Sequence, residues 1–599
     1  MPIKLRYILI IMMDKNRNFS EWYNEIIRSA DIIDDRYPIK GMPVYKPYGF
    51  KLVRNIIRNL EKELEKFNIE PAWFPALIHY NIFKKESEHI KGFESEVFWV
   101  GGKDEASEYV LRPTSETEMY YMYSLWIKSY SDLPIKLYMT NTVYRYETKA
   151  TKPLIRGREV LWNEAHTGHS TKEDAERMIN DSIKIYTKIF WEICSVPFVW
   201  TVRPSWDKFA GADYTKAADT ILPDGRFLQI GTTHLLGQNF SKAFGIYFND
   251  KHPFLSKDRK NEIEIKMKNV PEEVRNKIDD YDLIAFSKDY KKVVIIKILG
   301  NRAKIKIITK EGIEEKEINV EYNENKISDK ISTGYREYEL NYIYGRLEEN
   351  ERLIESLKSL INLEEFDNRK MIWQISFGLA MRSLAAVISI HGDNKGLVLP
   401  FPIAPIQIVI IPIYYSSEKE EKERILEYCE KVRNYLDEYR VYLDKDDSKT
   451  PGWKFNYYEF KGVPIRIEIG KKEVEENSVT VSVRRRNERS KKYYVKIEEL
   501  KEKIRDIVEE YDKYLKEEAI KYFKEKIVKT NNISELTKII EENKVGKIPF
   551  CMSEECAKEL KERYSLDIKG YDINPEKTNE RCIVCGKEGK YWVYVGRSY

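Results

Sequence analysis

The stretch "YRYETKATKPLIRGREVLWNEAHT", Tyr144–Thr167, has a basic centre between acidic and apolar ends. Its charged residues are Arg145, Lys149, Lys152, Arg156 and Arg158, with the acids Glu147, Glu159 and Glu164. We predict two strands, "LPIKLYMTNTVYRYE" and "REVLWNEAHT", joined by a basic loop. Side chains two positions apart on a strand share a face, so Arg145 and Glu147 should point the same way.

The same rule places Trp162, Glu164 and His166 on one face of the second strand. Charged side chains on one face of both strands suit a ligand with both phosphates and an amine. The planar guanidinium of arginine can donate two parallel hydrogen bonds to a phosphate. The alternative is a solvated hairpin whose surface ion pairs contribute little to stability. The stretch alone leaves both interpretations open.

Helical spacing of apolar residues predicts helices in "FSEWYNEIIRSADIID", with Ser20 as its N-cap, and in "GFKLVRNIIRNLEKELEKFN". A third helix is predicted with Pro113 and Thr114 at its start, and a fourth is capped by Ser170 or Thr171. Short strands follow in residues 197–248. The sheet they form is mostly antiparallel, so the predicted fold class is α+β.

The composition is that of an ordinary chain with several cores: 599 residues, 42% hydrophobic and 33% charged. A net charge of +4 neither requires nor excludes a nucleic-acid partner. The apolar run Tyr7–Met13 is too short to span a bilayer and precedes no cleavage site. We predict that it is a buried strand or lies upstream of the real start, and that the protein is cytoplasmic.

Four of the six cysteines lie near the C-terminus, as Cys551-x4-Cys556 and Cys582-x2-Cys585. Six cysteines are too few for a disulfide scaffold of this size. Four thiolates in two pairs satisfy tetrahedral Zn²⁺, so we predict a structural zinc site. The alternative is four unrelated thiols.

Four further motifs accompany the opening stretch. They are "LRPTSE" (Leu111–Glu116), "FAGA" (Phe209–Ala212), "LQIGTTHLLGQNFSKAF" (Leu228–Phe244) and "FGLAMR" (Phe377–Arg382). Together they closely resemble the prolyl-tRNA synthetase family of class II aminoacyl-tRNA synthetases, in its archaeal and eukaryotic type. The opening stretch resembles class II motif 2, and "FGLAMRSLAAVISIHGDNKGLVLP" resembles motif 3. "FPALI", Phe74–Ile78, resembles the end of motif 1, which forms the dimer interface in that family.

The resemblance implies a class II antiparallel-sheet catalytic domain, an α/β anticodon-binding domain and a C-terminal zinc-binding domain. A small inserted domain interrupts the catalytic domain, and it contains neither cysteine nor histidine. The expected divisions are an N-terminal extension (1–15), the first part of the catalytic domain (16–255), an insertion of unknown role (256–367), the rest of the catalytic domain (368–402), the anticodon-binding domain (403–492) and the zinc-binding domain (493–599).

The resemblance also implies roles for individual residues. Arg145 and Arg382 would be the catalytic residues, facing each other across the triphosphate. The expected ATP-binding residues are Arg145, Glu147, Arg156, Gln229, Thr232 and Arg382. The expected proline-binding residues are Thr114, Glu116, Arg145 and His234, beside a small apolar pocket of Phe209, Gly211 and Ala212. Trp162, Glu164 and His166 would surround this pocket.

The resemblance further implies ATP, Mg²⁺ and structural Zn²⁺ as cofactors, and L-proline, tRNA(Pro) and a second copy of the chain as partners. Residues expected to contact tRNA are Asp444–Asp447, Lys454, Arg466 and Glu468. The basic stretch Arg484–Lys492 could follow a phosphate backbone, and the alternative is an ordinary solvated face. The last residue, Tyr599, is expected to return toward the active site, as a similar tyrosine does in the family.

Motif 3 departs from the family pattern, close to "QTSWGxSxR", because this chain has "QISFGLAMR". Ile375 stands in place of threonine, Phe377 in place of tryptophan and Ala380 in place of serine. One lost hydrogen bond is worth about 0.5–1.5 kcal/mol, so we expect weaker ATP binding and retained activity. We do not carry the bacterial editing activity over, since the editing domain of bacterial relatives enters earlier than this insertion.

The predicted function is ligation of proline to tRNA. A sister enzyme for threonine or serine is the nearest enzymatic alternative. A threonyl enzyme would need a zinc site in the amino-acid pocket, but the cysteines lie far downstream, and "FAGA" with "GTTH" favours proline. A catalytically silent tRNA-binding protein is the other alternative, supported by the altered motif 3 and the insertion. The intact motif residues Arg145, Glu116 and Arg382 argue against it.

Overall fold

The computed structural model describes residues 14–15, 17–89, 97–101, 108–147, 151–300, 302–319, 325–332, 337–344, 351–414 and 419–599. The predicted strand at Tyr7–Met13 and the loop residue Lys149 lie outside these ranges. In the part of the chain that the structure covers, no helix has the length and apolarity needed to cross a membrane.

The two predicted strands form an antiparallel pair, which we call the charged hairpin: Ile135–Tyr144 and Glu159–His169. The first strand ends at Tyr144, so the prediction that Arg145 and Glu147 lie on a strand was wrong. Arg145 N–H still donates to Arg158 O at 2.8 Å, but Glu147 N–H folds back onto Arg145 O at 2.7 Å. A tight turn therefore sets the direction of these two side chains.

The charged hairpin belongs to a sheet of 11 strands, the central sheet. In spatial order its strands are Ile527–Lys529, Val545–Phe550, Tyr591–Ser598, Asp567–Asp572, Val199–Val202, Tyr214–Ile221, Arg226–Gly237, Trp373–Ala380, Glu159–His169, Ile135–Tyr144 and Glu70–Pro71. All neighbours are antiparallel except the pair at each end. The C-terminal strands thus extend the same sheet that contains the sequence motifs.

Helices surround this sheet, and Trp22, Tyr186 and Trp200 are buried in the main core. These helices are Phe19–Ser29, Pro47–Lys66, Tyr80–His89, Glu116–Trp126, Lys172–Thr187, Asn239–Phe244 and Arg382–His391. The first is capped by Asn18, whose side chain accepts from Glu21 N–H, and not by Ser20. Thr171 caps the helix Lys172–Thr187 as predicted, whereas the third predicted helix begins only at Glu116.

Small two- and three-stranded sheets flank the main core. They are formed by Ile33–Asp34 with Val44–Tyr45, by Leu77–His79, Tyr109–Leu111 and Phe98–Val100, and by Tyr247–Asn249 with Arg369–Met371.

The segment predicted to be an insertion folds around its own sheet, with its own apolar clusters. The strands are Leu255–Ser256, Leu283–Phe286, Val293–Leu299, Arg302–Ile308 and Ile313–Asn319, followed by a hairpin of Asn325–Ser332 and Glu337–Tyr344. Its helices are Lys260–Lys268, Glu272–Arg275 and Glu351–Lys358. Its alternating β-branched strands account for this separate core.

A second sheet forms the α/β module, with Val441–Leu443, Ile408–Pro412, Ile465–Ile469, Ser478–Val483 and Lys491–Lys496 in spatial order. Its helices are Lys419–Tyr435, Pro451–Phe460 and Lys471–Glu475. The long helix Leu500–Lys526 leads from this module to the helices Ile533–Glu541 and Glu554–Tyr564 at the C-terminus. The predicted α+β class is confirmed.

Candidate active site

A cavity of about 1110 Å³ opens at the end of the charged hairpin. All nine residues predicted to bind ATP or proline line it: Thr114, Glu116, Arg145, Glu147, Arg156, Gln229, Thr232, His234 and Arg382. They come from four of the sequence motifs: Leu111–Glu116, the opening stretch Tyr144–Thr167, Leu228–Phe244 and Phe377–Arg382. Trp162, Glu164 and His166 line it as well. The cavity therefore unites motifs that the sequence keeps up to 268 residues apart, from Thr114 to Arg382.

One end of the cavity is strongly positive. Arg145 lies over the Trp162 ring at 5.4 Å, and its Nε donates to Pro113 O at 3.1 Å. Arg382 Nε donates to Ile155 O at 2.8 Å. Burial, together with the charges of Arg145 and Arg156, lowers the pKa of Arg382 to about 10. Two guanidinium groups thus repel that of Arg382, and the three together form a site for a polyanion.

Glu147 and Arg156 pair with each other at this end. Arg156 Nε donates to Glu147 Oε2 at 2.7 Å, and the Glu147 side chain is 7% exposed. Arg158 Nε donates to the backbone oxygen of Glu147 at 3.0 Å. The carboxylate is therefore held at a defined place on the cavity wall, where it accepts hydrogen bonds.

The other end contains a buried cluster of Glu116, Glu164 and His166, whose ligand atoms lie within 4.8 Å of one another. Glu164 accepts from Asn141 Nδ2 at 2.8 Å and from the Ser115 hydroxyl, and it contacts His166 Nε2 at 3.2 Å. Burial alone would raise the pKa of Glu164, but the hydrogen bond and charge of His166 lower it. Glu164 is therefore ionised.

The pKa values of His166 and Glu116 are both raised. Burial opposes the charged form of His166, yet the charges of Glu116 and Glu164 raise its pKa. Burial, with the charge of Glu164 added, raises the pKa of Glu116. Two buried carboxyl groups thus lie beside one imidazole, and a cation bound among them would favour the ionised form of Glu116.

His234 lies between these two ends and is neutral. Burial and then the charges of His166 and Arg203 lower its pKa to about 3. Its Nδ1 is 2.9 Å from the Thr215 hydroxyl, and its ring packs on Phe209 at 4.7 Å. Of the predicted apolar pocket, only Phe209 lines the cavity. Ala212 is buried in the core behind it.

Arg203 was missed by the sequence analysis. Its buried guanidinium pairs with Asp219 at 2.8 Å and donates to Gln229 Oε1 at 3.0 Å. Because Oε1 faces Arg203, the amide nitrogen of Gln229 is the group left to donate toward the cavity. A lone aspartate in the apolar strand Tyr214–Ile221 was the signal, since a buried carboxylate requires a cation.

The C-terminus closes one side of the cavity. Tyr599 lines it, and its hydroxyl donates to Asp224 and accepts from Lys152 Nζ at 3.1 Å. Lys152 also lies over the Tyr599 ring at 4.8 Å. Ser598 pairs with Phe227 on the central sheet. The expectation that Tyr599 lies at the active site is confirmed. Its contact with Lys152, in the loop of the charged hairpin, was not predicted from the sequence.

The four C-terminal cysteines come together as predicted. Cys551 Sγ lies 3.6 Å from Cys556 Sγ and 3.8 Å from Cys585 Sγ. A tetrahedral zinc with Zn–S bonds of about 2.3 Å has sulfur–sulfur edges of about 3.8 Å. The thiol arrangement therefore fits Zn²⁺.

Part of the predicted tRNA-contacting set is paired internally. Lys454 Nζ pairs with Asp444 at 3.1 Å, and both side chains are buried. In the basic stretch, the buried Arg484 pairs with Asp393 at 2.7 Å. These charges are used in ion pairs within the fold and are not presented to a ligand.

Comparison with known proteins identifies the class. Residues 98–259 match the family model of the tRNA synthetase class II core domain (G, H, P, S and T), and residues 407–507 match an anticodon binding domain. Residues 533–599 match the prolyl-tRNA synthetase C-terminal domain. The fold and cavity are those of a class II aminoacyl-tRNA synthetase.

Individual relatives identify the family within the class II aminoacyl-tRNA synthetases. The proline–tRNA ligase of Nanoarchaeum equitans is 48% identical over 595 residues, 98% of this chain and 100% of the relative. That of Thermofilum pendens is 38% identical over 597 residues, 98% of this chain and 99% of the relative. The chain belongs to the prolyl-tRNA synthetase family.

Solved structures agree with this assignment. Giardia lamblia prolyl-tRNA synthetase in complex with prolyl-adenylate superposes with a TM-score of 0.75 at 30% identity, covering 98% of this chain and 99% of that one. The Cryptosporidium parvum enzyme complexed with L-proline and AMP gives a TM-score of 0.73 at 27% identity, covering 98% and 96%.

Proposed function

We propose that this protein activates L-proline with ATP and transfers the prolyl group to tRNA(Pro). One observation carries the proposal: a single cavity has three guanidinium groups at one end and an excess of buried carboxylates at the other. ATP supplies phosphates for the first end, and the secondary ammonium of proline supplies the cation for the second. Arg145 and Arg382 are the proposed catalytic residues.

The reaction requires no protein nucleophile. A proline carboxylate oxygen attacks the α-phosphorus of ATP, the bond from that phosphorus to the β-phosphate bridge breaks, and pyrophosphate leaves. A ribose hydroxyl at the tRNA terminus then attacks the prolyl carbonyl and releases AMP. Catalysis consists of positioning and of stabilising negative charge, which Arg145, Arg156 and Arg382 provide.

The remaining ATP contacts follow from the geometry of the walls. Glu147 is proposed to accept from the exocyclic amine of adenine, and Gln229 and Thr232 to hold the nucleotide. Mg²⁺ would supply further positive charge to offset that of the phosphates. Glu159 lines the cavity and would offer a carboxylate oxygen of the kind that Mg²⁺ prefers.

The altered motif 3 is compatible with activity. Ile375 and Phe377 are buried, and Phe377 packs edge-on against Tyr186 at 5.6 Å, so both act as core residues. Ala380 lines the cavity without a hydroxyl. We propose weaker ATP binding from this one position, by about 0.5–1.5 kcal/mol.

A homodimer is also proposed. The segment resembling motif 1 has exposed apolar side chains at and beside it: Trp73 is 77% exposed and Leu77 46%, with Leu125 and Trp126 exposed as well. Exposed apolar groups of this size are typical of an interface. We further propose a zinc ion on the four cysteines, and a cytoplasmic location, where tRNA and ATP are available.

The function is tested by amino-acid-dependent ATP–pyrophosphate exchange, with proline, threonine, serine, alanine and cysteine compared in parallel. Exchange with proline well above the others is the expected result. A folded, zinc-loaded protein that shows no exchange with any of them contradicts the proposal and favours a silent tRNA-binding protein.

Glu116→Gln is expected to raise the KM for proline by about 10–100-fold, because a charge-assisted hydrogen bond of about 1.5–3 kcal/mol is lost. The KM for ATP should change by less than about twofold, since Glu116 lies at the opposite end of the cavity from the arginines. Pyrophosphate exchange measured at varied proline and varied ATP separates the two constants. An equal rise in both would contradict the assignment of Glu116 to proline.

A further inference from the structure

A second, smaller cavity of about 340 Å³ lies where the helix Pro47–Lys66 meets the start of the α/β module. Arg58 and Lys62 enter it from the helix, and Arg440 enters it from the module. We call this cavity the basic notch. None of the described residues that line it is acidic.

The three cations are not neutralised. Among the residues that the structure describes, Arg58, Lys62 and Arg440 form no ion pair with a carboxylate. The Arg440 guanidinium donates to backbone oxygens, at 2.7 Å to Pro402 and 2.9 Å to Ala404. Burial and then the charge of Arg58 lower the pKa of Arg440, so the two guanidinium groups repel each other. An anion between them would relieve that repulsion.

Buried amides hold the notch in shape. Asn55 is 7% exposed and donates to Ile403 O at 2.9 Å, which joins the helix to the module. Gln407 is 6% exposed, donates to Phe401 O at 3.0 Å and accepts from Arg440 N–H at 3.0 Å. The cations therefore project from a fixed framework contributed by both domains.

The positive charge continues along the helix. Lys51, Arg54, Arg58 and Lys62 are all exposed and lie on one ridge, at spacings of three or four residues. Four residues of helix rise about 6 Å, so the ridge is a row of charges extending well beyond the notch. A row of cations suits a polyanionic backbone better than a single small anion.

The basic stretch Arg484–Lys492, in contrast to the basic notch, is largely neutralised by carboxylates. Arg484 is paired with Asp393, Arg485 and Lys491 are paired with Glu510, and Lys492 is paired with Glu468. Most cations of the basic stretch are therefore neutralised by ion pairs in the fold. By contrast, the cations of the basic notch, which are far apart in the sequence, come together without carboxylate partners among the described residues.

We propose that the basic notch and its ridge bind backbone phosphates of the tRNA, at the junction between the catalytic and anticodon-binding domains. This site rests on the proposed function, because it takes the tRNA as its ligand. Its contacts are to phosphate, so it contributes affinity and orientation and does not read sequence.

The test compares the wild-type chain with Arg58→Gln/Lys62→Gln, which keeps Arg440 and its structural hydrogen bonds. The KM for tRNA in aminoacylation is expected to rise by about tenfold, and the slope of log affinity against log salt to fall by about 2. Proline-dependent pyrophosphate exchange, which requires no tRNA, should stay within about twofold of wild type. A matched control, Lys268→Gln/Lys288→Gln, removes two exposed charges from the inserted domain.

Three results would overturn the proposal: an unchanged tRNA KM and salt slope, an equal effect in the control, or an effect on inorganic phosphate alone. The last is measured by thermal shift with phosphate. Stabilisation of wild type and not of the variant, with an unchanged tRNA KM, assigns the notch to a small anion. Absence of exchange in the wild type contradicts the proposed function instead, so the two failures are distinct.

Discussion

Arg145→Ala is expected to lower proline-dependent pyrophosphate exchange by about 10³-fold or more, with tRNA binding retained. Arg145 is one of three guanidinium groups at the positive end of the cavity, and its orientation is set by Pro113 O and the Trp162 ring. A positioned cation that meets the charge developing on the α-phosphate acts mainly in the transition state, so kcat should fall more than the KM for ATP rises.

Two controls sharpen this experiment. Arg145→Lys keeps the charge and loses the planar fork, so its activity should lie between the wild type and alanine variants. Arg177→Ala removes an arginine that pairs with Asp174 on a helix outside the cavity, and its exchange rate should match wild type. Retained exchange in Arg145→Ala would refute its assignment to the α-phosphate.

Cys582→Ser/Cys585→Ser is expected to abolish zinc binding and to raise the KM for ATP by about tenfold. Strand Tyr591–Ser598 pairs with strand Arg226–Gly237, which contains Gln229, Thr232 and His234. Loss of the metal removes the cross-link of the C-terminal domain and releases Tyr599 from Lys152. One hydrogen bond and one cation–π contact are worth about 1–2 kcal/mol together, which corresponds to about tenfold.

Metal analysis, melting curves and pyrophosphate exchange at varied ATP measure these effects. Cys429→Ala is the control, because Cys429 is buried in the α/β module away from the cysteine cluster. Its zinc content and KM for ATP should equal those of wild type. A double serine variant without zinc but with an unchanged ATP KM would show that the C-terminal domain does not support the active site.

The local structure of the charged hairpin was predictable because alternation and strand length act over a few residues. The prediction that Arg145 and Glu147 lie on a strand was wrong, because a turn joins these two residues. Both side chains still line the cavity. A pattern of period two cannot reveal where a strand ends, since the hydrogen bonds of the turn decide that point.

The sequence by itself determined the α+β class, the family motifs and the pairing of cysteines, because each depends on residue type and short spacing. Only the tertiary structure decided which charges remain available. Arg484 and Lys454, conspicuous in the sequence, are buried in ion pairs, whereas Arg58 and Arg440, 382 residues apart, meet unpaired. The tertiary structure also brings Arg203 to Gln229, and Tyr599 to Lys152. Long-range packing brings such groups together, and Coulomb interactions depend on distance in space and not on distance along the chain.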